Sequence, residues 1–213
     1  MATASRALLK IPREAWDAGV ALSAAQAILT WANDVPARDR TGEGYITVSQ
    51  AGVELCSFVG STDSARIQKE LLGLGVPVFV IRSVREQMRF DVTQIVVEAG
   101  QEFEIIFVNE DMIPHNVVIV EPGAREEIGL MADEMDPTPD RRGRTYVPRD
   151  RRIIAASRMI EPGRRTSLKL KAPETPGDYE YVCTYPEHWL VMFGKLIVVE
   201  DLEQYLQSGL TPP

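Results

Sequence analysis

The sequence predicts an all-β Greek-key sandwich preceded by a small α-helical region. From residue 76 to residue 199 the chain is a series of short β-rich segments, separated by Gly, Pro and Asn turn signals. Regularly spaced short strands of this kind are typical of a sandwich. Before residue 76 the apolar residues recur instead at the spacing of helices packed on one face.

The helical region is predicted to span residues 1–75. Pro12 stands at a favoured first helical position, and N-cap residues at 61–63 precede another apolar segment. Three helices are therefore predicted, over residues 12–31, 49–58 and 60–72, with a polar loop over residues 36–46. We find no chemical motif in this region and expect it to serve packing or a link to another domain.

The sandwich itself is predicted to occupy residues 76–200. Its strands are expected at residues 76–81, 88–91, 94–97, 103–108, 116–120, 166–171, 177–182 and 194–199. Residues 121–160 do not alternate and are expected to form an insertion, with a helix over residues 126–135. Residues 201–213 are predicted to be a C-terminal tail with one short helix.

Composition limits the classes of partner. The 213 residues are 45% hydrophobic and 25% charged, which is ordinary for a globular chain, and the formal net charge is −8. A negative chain is not suited to nucleic acid or to an anionic membrane surface as a general partner. The most apolar stretch, residues 15–32, is interrupted by polar side chains, so no integral membrane segment is predicted.

A local basic cluster lies inside the insertion of this acidic chain. It consists of six arginines: Arg141, Arg142, Arg144, Arg149, Arg151 and Arg152. The cluster is either a solvated loop or a docking surface for an acidic partner, since such patches steer encounter.

The strongest chemical signal is a cluster of metal-ligand residue types near the end of the chain. Residues 183–192 read Cys-Thr-Tyr-Pro-Glu-His-Trp-Leu-Val-Met, and a Pro-His-Asn triplet lies upstream at residues 114–116. The chain holds two His and two Cys, and both His and one Cys fall in these two segments. Two imidazoles, one thiolate and a weak axial thioether are the donor set of a blue-copper electron-transfer site. We therefore predict that His115, Cys183, His188 and Met192 bind one type 1 copper ion.

Other metal chemistries fit the residues less well. A binuclear copper site needs a second Cys between residues 183 and 188, and a trinuclear cluster needs further His; neither is present. Covalent haem attachment needs a Cys-x-x-Cys-His motif, which is absent, and structural zinc usually takes more thiolates. Four ligands leave no open position for a substrate, so we do not expect an enzyme. A copper carrier or copper-sensing module remains as the alternative, although such proteins use exposed Met and His clusters.

The two ligand segments resemble the cupredoxin family. The loop has four residues between Cys183 and His188 and three between His188 and Met192, which is similar to azurins and auracyanins. The Pro-His-Asn triplet is more similar to plastocyanins. The resemblance covers roughly residues 76–200 and implies single-electron transfer between redox partner proteins. With its preceding helices, the chain also resembles the C-terminal copper modules of larger exported bacterial dehydrogenases.

The resemblance also implies roles for neighbouring residues. Asn116 is expected to tie the two ligand-bearing segments together by hydrogen bonds. In the cupredoxin family, the histidine ligand that matches His188 reaches the protein surface. Its neighbours Glu187 and Trp189 are therefore expected to line the docking face. The alternative for Trp189 is burial at the end of the sandwich. The insertion corresponds to the flap region that azurins and auracyanins also enlarge, and Met88 and Met112 are expected in the core.

A blue-copper protein is expected outside the reducing cytosol. The first residues lack the charged segment and the long apolar segment of a signal peptide. We therefore expect a periplasmic or otherwise exported protein, of which this chain is a fragment or the mature portion. With Cys183 committed to metal, Cys56 has no obvious disulfide partner.

Overall fold

The first part of the chain is mostly helical, and the second part contains the strands. The computed structural model describes residues 2–8, 11–36, 39–40 and 42–208. The chain divides into two units, one comprising Met1–Val78 with Asp201–Pro213 and the other Phe79–Glu200. The domain boundaries inferred from sequence, after residues 75 and 200, remain a prediction.

Within the described residues the α-helices are α1 (Ala2–Leu8), α2 (Ala18–Asp34), α3 (Glu43–Val59), α4 (Thr62–Gly73), α5 (Arg125–Asp133) and α6 (Leu202–Ser208). Short 3-10 turns lie at Arg13–Ala15 and His188–Leu190. No helix in the described ranges is long and apolar enough to cross a membrane.

Local sequence sets the ends of the helices in the first unit. The Asp17 side chain accepts a hydrogen bond from the Val20 amide at 2.9 Å and so caps α2. Helix α3 ends at Gly60, which adopts the left-handed backbone conformation (φ 57°) that glycine allows without strain. Ser61 and Ser64 then bond each other's backbone amides, which starts α4.

The helices of this unit pack around a core of small and branched side chains. Ala25, Leu29, Leu55 and Ile67 are buried within it. At Gly52 of α3, a Cβ atom would lie 2.8 Å from the Leu71 side chain, so a larger residue there would separate the packed helices.

The second unit contains two sheets. Its strands are β1 (Val78–Val84), β2 (Arg89–Phe90), β3 (Gln94–Glu98), β4 (Glu102–Val108), β5 (Val118–Val120), β6 (Ile153–Ala156), β7 (Arg165–Lys171), β8 (Gly177–Val182) and β9 (Phe193–Val199). One sheet has the order β2-β1-β4-β7 and the other β3-β9-β8-β5-β6. Strands β3 and β9 pair in parallel, whereas β8 pairs antiparallel with both β5 and β9.

Alternating side chains of the two sheets form the sandwich core. Phe103, Ile105 and Phe107 of β4 are fully buried, and the residues between them are only partly so. The Phe90 ring lies 5.8 Å from the Phe107 ring and 5.5 Å from the Tyr181 ring, which joins the sheets. This core supports the strand ends from which the ligand-bearing loops begin.

The predicted sandwich with a preceding helical region is confirmed, and four elements differ in detail. The helix predicted to begin at Pro12 begins instead at Ala18, because Asp17 caps it and Pro12 precedes the separate short turn Arg13–Ala15. Helix α3 begins at Glu43, inside the segment predicted as a loop, because Val48, Ala51 and Leu55 place a helical stripe in the core. Helix α1 was not predicted. Strand β6 was also missed, because its Ile-Ile-Ala-Ala sequence does not alternate and it forms the sheet edge, where Ile154 is an extra residue in its pairing with β5.

Candidate metal centre

Three predicted ligand side chains converge at one end of the sandwich. The Cys183 Sγ atom lies 3.6 Å from His115 Nδ1 and 3.6 Å from His188 Nδ1, and the two Nδ1 atoms are 3.2 Å apart. All three residues are buried. Among the described residues they form the one cluster of His, Cys and acidic groups that could hold a metal ion.

This triangle fits a first-row transition metal ion. The point equidistant from the three donor atoms lies about 2.0 Å from each. This distance is close to those at which proteins bind zinc, an ion of similar size: about 2.0–2.1 Å for imidazole and about 2.3 Å for thiolate. Two imidazole nitrogens and one thiolate in a plane are the equatorial ligands of a blue-copper centre.

The donor residues come from two separate segments. His115 lies between β4 and β5 and pairs through its backbone with Ile160, with N–O distances of 3.2 and 2.8 Å. Cys183 follows β8 directly. Its amide donates to the Met192 carbonyl at 3.0 Å, and the Met192 amide donates to the His188 carbonyl at 2.7 Å. The loop from Cys183 to Met192 is thus closed on itself, and Met192 is fully buried within the sandwich core.

Asn116 links the two segments. Its side-chain nitrogen donates to Thr184 Oγ1 at 2.9 Å, and its side-chain oxygen accepts from the Thr184 amide at 2.8 Å. Both residues are fully buried, so water does not compete for these bonds. Asn116 therefore holds the strand end that carries His115 against the residue that follows Cys183.

A buried carboxylate, which the residue pattern did not predict, contacts His115. His115 Nε2 lies 3.1 Å from Asp111 Oδ2. Burial raises the pKa of the Asp111 carboxyl, but hydrogen bonds from the Glu86 and Met112 amides and from His115 outweigh burial and leave that pKa below its usual value. The one sequence signal was an acidic residue in the loop that carries a predicted His ligand.

The protonation states of the metal-free site suit cation binding. Burial lowers the pKa of His115, against the raising effect of Asp111. Burial and the neighbouring His115 lower the pKa of His188 to about 4. Both imidazoles are therefore neutral near pH 7, with a lone pair to offer. Burial raises the pKa of the Cys183 thiol to about 12, so metal binding must release its proton.

The Trp189 side chain, for which a docking role and burial were the two alternatives, is buried with only 7% of its surface exposed. The ring packs against Ile128 of α5, and its Nε1 donates to Asp133 Oδ2 at 2.8 Å. A Cβ atom on Gly129 would lie 2.3 Å from the ring, so this glycine gives the ring its space.

The helix of the insertion therefore holds the ligand loop. Asp133 also accepts a bond from the Glu187 amide at 2.8 Å, and Arg125 donates to the Trp189 carbonyl at 2.8 Å. Glu187 is exposed and adopts a left-handed backbone conformation (φ 67°), which is unfavourable for a residue with a Cβ. These contacts fix the loop on the side away from the sandwich core.

Aromatic rings continue outward from His188. The Tyr185 ring lies 4.6 Å from the His188 ring, and the Tyr146 ring of the insertion lies 5.5 Å from the Tyr185 ring. His188 itself is buried, so Tyr185 and Tyr146, which are partly exposed, are the rings nearer to solvent. The insertion thus contributes an aromatic side chain near the site as well as α5.

Three exposed apolar side chains lie in the loops that carry the ligand residues. Leu190 and Val191 of the ligand loop are 55% and 54% exposed, and Met112, three residues before His115, is 60% exposed. The expectation that Met88 and Met112 lie in the core is wrong, because both are in turns between strands. In the basic cluster, Arg144 pairs with Asp140, while Arg152 pairs with Asp150 and Glu127.

The fold and the ligand set define a cupredoxin. Residues 79–199 match the model of the copper binding proteins of the plastocyanin/azurin family, and this chain belongs to that family. The resemblance inferred from the two ligand segments is thereby confirmed.

Individual relatives agree with this assignment. The chain is 33% identical over 128 residues to auracyanin-A of Chloroflexus aurantiacus, covering 59% of this chain and 76% of that protein. It is 32% identical over 123 residues to outer membrane protein H.8 of Neisseria gonorrhoeae, covering 54% of this chain and 64% of that protein. The structure of auracyanin A, described as a "blue" copper protein, superposes with a TM-score of 0.53 at 32% identity. That match covers 59% of this chain and 100% of the auracyanin A chain. Reduced auracyanin of Roseiflexus castenholzii gives a TM-score of 0.52 at 30% identity, with 59% of this chain and 99% of that chain covered.

Proposed function

We propose that this protein is a type 1 copper protein that carries single electrons between redox partners. The observation that supports this proposal most directly is the triangle of His115 Nδ1, His188 Nδ1 and Cys183 Sγ, whose size suits one ion. The family match over residues 79–199 agrees with it.

Each side chain has a role that follows from its chemistry. Cys183 would supply a soft thiolate, His115 and His188 two neutral imidazoles, and Met192 a weak axial thioether. A bound copper ion would supply the Cu(I)/Cu(II) couple. Asn116 and the bonds between Cys183, His188 and Met192 hold the donors in place, so little has to rearrange when the charge changes.

Electron transfer is favoured over copper delivery and over catalysis. A carrier must hand its ion to another protein through accessible ligands, whereas His115, Cys183, His188 and Met192 are all buried. Catalysis at the metal needs an open coordination position, and a four-residue ligand set leaves none for a substrate. We therefore expect no enzymatic activity from this site.

The partners are proposed to be redox proteins outside the cytosol. Leu190 and Val191 of the ligand loop, with Met112, offer exposed apolar contact area near the donor residues. Electron-transfer encounters are small and transient, so a few such side chains suffice. One relative carries the name outer membrane protein, which agrees with an exported location.

Spectroelectrochemistry of the copper-loaded chain tests this proposal. The expected result is one copper per chain and a reversible one-electron couple over repeated cycles. A site that fails to cycle, or that passes its copper rapidly to a small chelator, would instead support a carrier. The Cys183→Ser variant is the matched control, since it removes the thiolate and leaves both imidazoles.

A further inference from the structure

Asp111 places a buried carboxylate against the far side of one copper ligand. We propose that Asp111 is a positioning residue that keeps His115 Nδ1 free for copper and stabilises the oxidised state through its negative charge. This inference rests on the proposed function for its second half only, because the tautomer of His115 can be measured without metal.

The carboxylate is held by more contacts than its bond to His115. Its Oδ1 atom accepts the Glu86 amide at 3.0 Å and the Met112 amide at 2.7 Å, while Oδ2 faces His115 Nε2 at 3.1 Å. The Asp111 side chain is 4% exposed and that of His115 is fully buried. The position of the carboxylate is therefore set by the backbone, and it orients the imidazole.

The loop behind Asp111 is fixed by a small polar network. The Asp111 amide donates to Ser83 Oγ and to Asn109 Oδ1, both at 3.0 Å. The Asn109 side-chain nitrogen donates to the carbonyl of Ile160 at 2.7 Å. Ile160 in turn pairs with the His115 backbone, so carboxylate and imidazole are anchored to the same strand ends.

The choice of tautomer follows from donor and acceptor counting. An ionised carboxylate only accepts hydrogen bonds, so the Nε2 atom that faces it must carry the ring proton. A neutral imidazole carries one proton, which leaves Nδ1 unprotonated. That atom is the one aimed at Cys183 and His188. Carboxylate–histidine–metal arrangements orient and strengthen the metal ligand in this way.

The charge of Asp111 would stabilise bound Cu(II) more than bound Cu(I). A buried negative charge attracts the doubly charged ion more than the singly charged one, and the surrounding protein screens it weakly. Asp111 should therefore lower the reduction potential. Among the described residues, the hydrogen-bond partners of the Asp111 carboxylate are the neutral His115 ring and the Glu86 and Met112 amides, so a bound metal ion would balance its charge.

The Asp111→Asn variant separates these effects. Its amide oxygen can accept the two backbone amides, but its NH2 group then faces His115 Nε2 and favours the wrong tautomer. We expect Cu(II) affinity to fall about 10–100-fold. Each tenfold loss of Cu(II) affinity that Cu(I) does not share raises the potential by about 59 mV.

Glu110→Gln is the matched control. It removes the same charge from the neighbouring residue, but the Glu110 side chain is 56% exposed and pairs with Arg82 at the surface. Water and salt screen that charge, so its potential should stay close to that of the unchanged protein.

Two measurements decide the proposal. Nitrogen-15 NMR of the metal-free protein at pH 8 should find the His115 proton on Nε2, and the chain holds only two His to assign. A proton on Nδ1 in the unchanged protein would overturn the positioning role, even if Asp111→Asn does not fold. Equal potentials for Asp111→Asn and Glu110→Gln would overturn the electrostatic role. Failure of the unchanged protein to form a blue site would count against the proposed function, and the tautomer result would still stand.

Discussion

Replacing Trp189 tests how the insertion holds the ligand loop. The ring is 7% exposed, packs on α5 and donates to Asp133 Oδ2 at 2.8 Å. Truncating a buried Trp to Ala costs about 3–5 kcal/mol of folding free energy. Losing the partner of a part-buried carboxylate adds about 1 kcal/mol.

Leu190→Ala is the control, because it truncates the next side chain along the loop. Leu190 is 55% exposed, so its removal should change stability by no more than about 0.5 kcal/mol. Leu190→Ala should instead slow electron exchange with a partner if this loop is the docking face.

The assay is amide hydrogen exchange of β5 and β8 in the metal-free 213-residue chain, under conditions that report global opening. Trp189→Ala should reduce protection strongly and Leu190→Ala hardly at all. Equal protection in the two variants would refute the packing argument. A Gly129→Ala change gives an independent check, since its new Cβ would meet the ring and cost about 1–3 kcal/mol. That cost should largely vanish in the Trp189→Ala background, because the obstructing ring is gone.

Three further predictions concern the ligands. Met192→Leu should still bind copper and turn blue but show a raised potential by voltammetry, because the lost thioether stabilises Cu(II); a lowered potential would argue against an axial role. Copper affinity should rise about tenfold per pH unit between pH 6 and 8, since binding releases the Cys183 proton, whose pKa is about 12 without metal. Competition titrations at several pH values, corrected for the pH dependence of the competitor, should give that slope, and a flat profile would contradict it. The metal-free protein should lose stability as the pH falls from about 6.5 towards 4. The folded state holds the pKa of His188 at about 4, so the unfolded chain takes up the proton first. His188→Gln should weaken this pH dependence in urea unfolding, and an unchanged pH profile would refute the assignment.

The sequence was most informative where the signal is local. Cys183, His188 and Met192 lie within one short loop, and the chain has so few His and Cys that the second segment with His115 could be paired with it. The strands were predictable because alternation reports which face is buried. Helix α5 could be placed within the insertion, but not its contact with the loop.

The missed features depend on contacts between distant parts of the chain. Trp189 is buried because α5, about sixty residues earlier, covers it. Asp111 reaches His115 through a turn whose shape is set by Ser83 and Asn109. The two residues are four apart in sequence, but they do not lie on a helix. Neither contact follows from residue spacing, since each depends on how a loop folds back.

The absorption and electron paramagnetic resonance spectra of the copper-loaded, oxidised chain test the central claim most directly. We predict an intense visible band from charge transfer between the Cys183 thiolate and Cu(II), absent in Cys183→Ser. The resonance spectrum should show the narrow copper hyperfine splitting of a covalent thiolate site. A pale protein with a weak band and ordinary wide splitting, or a colour that survives in Cys183→Ser, would contradict the account.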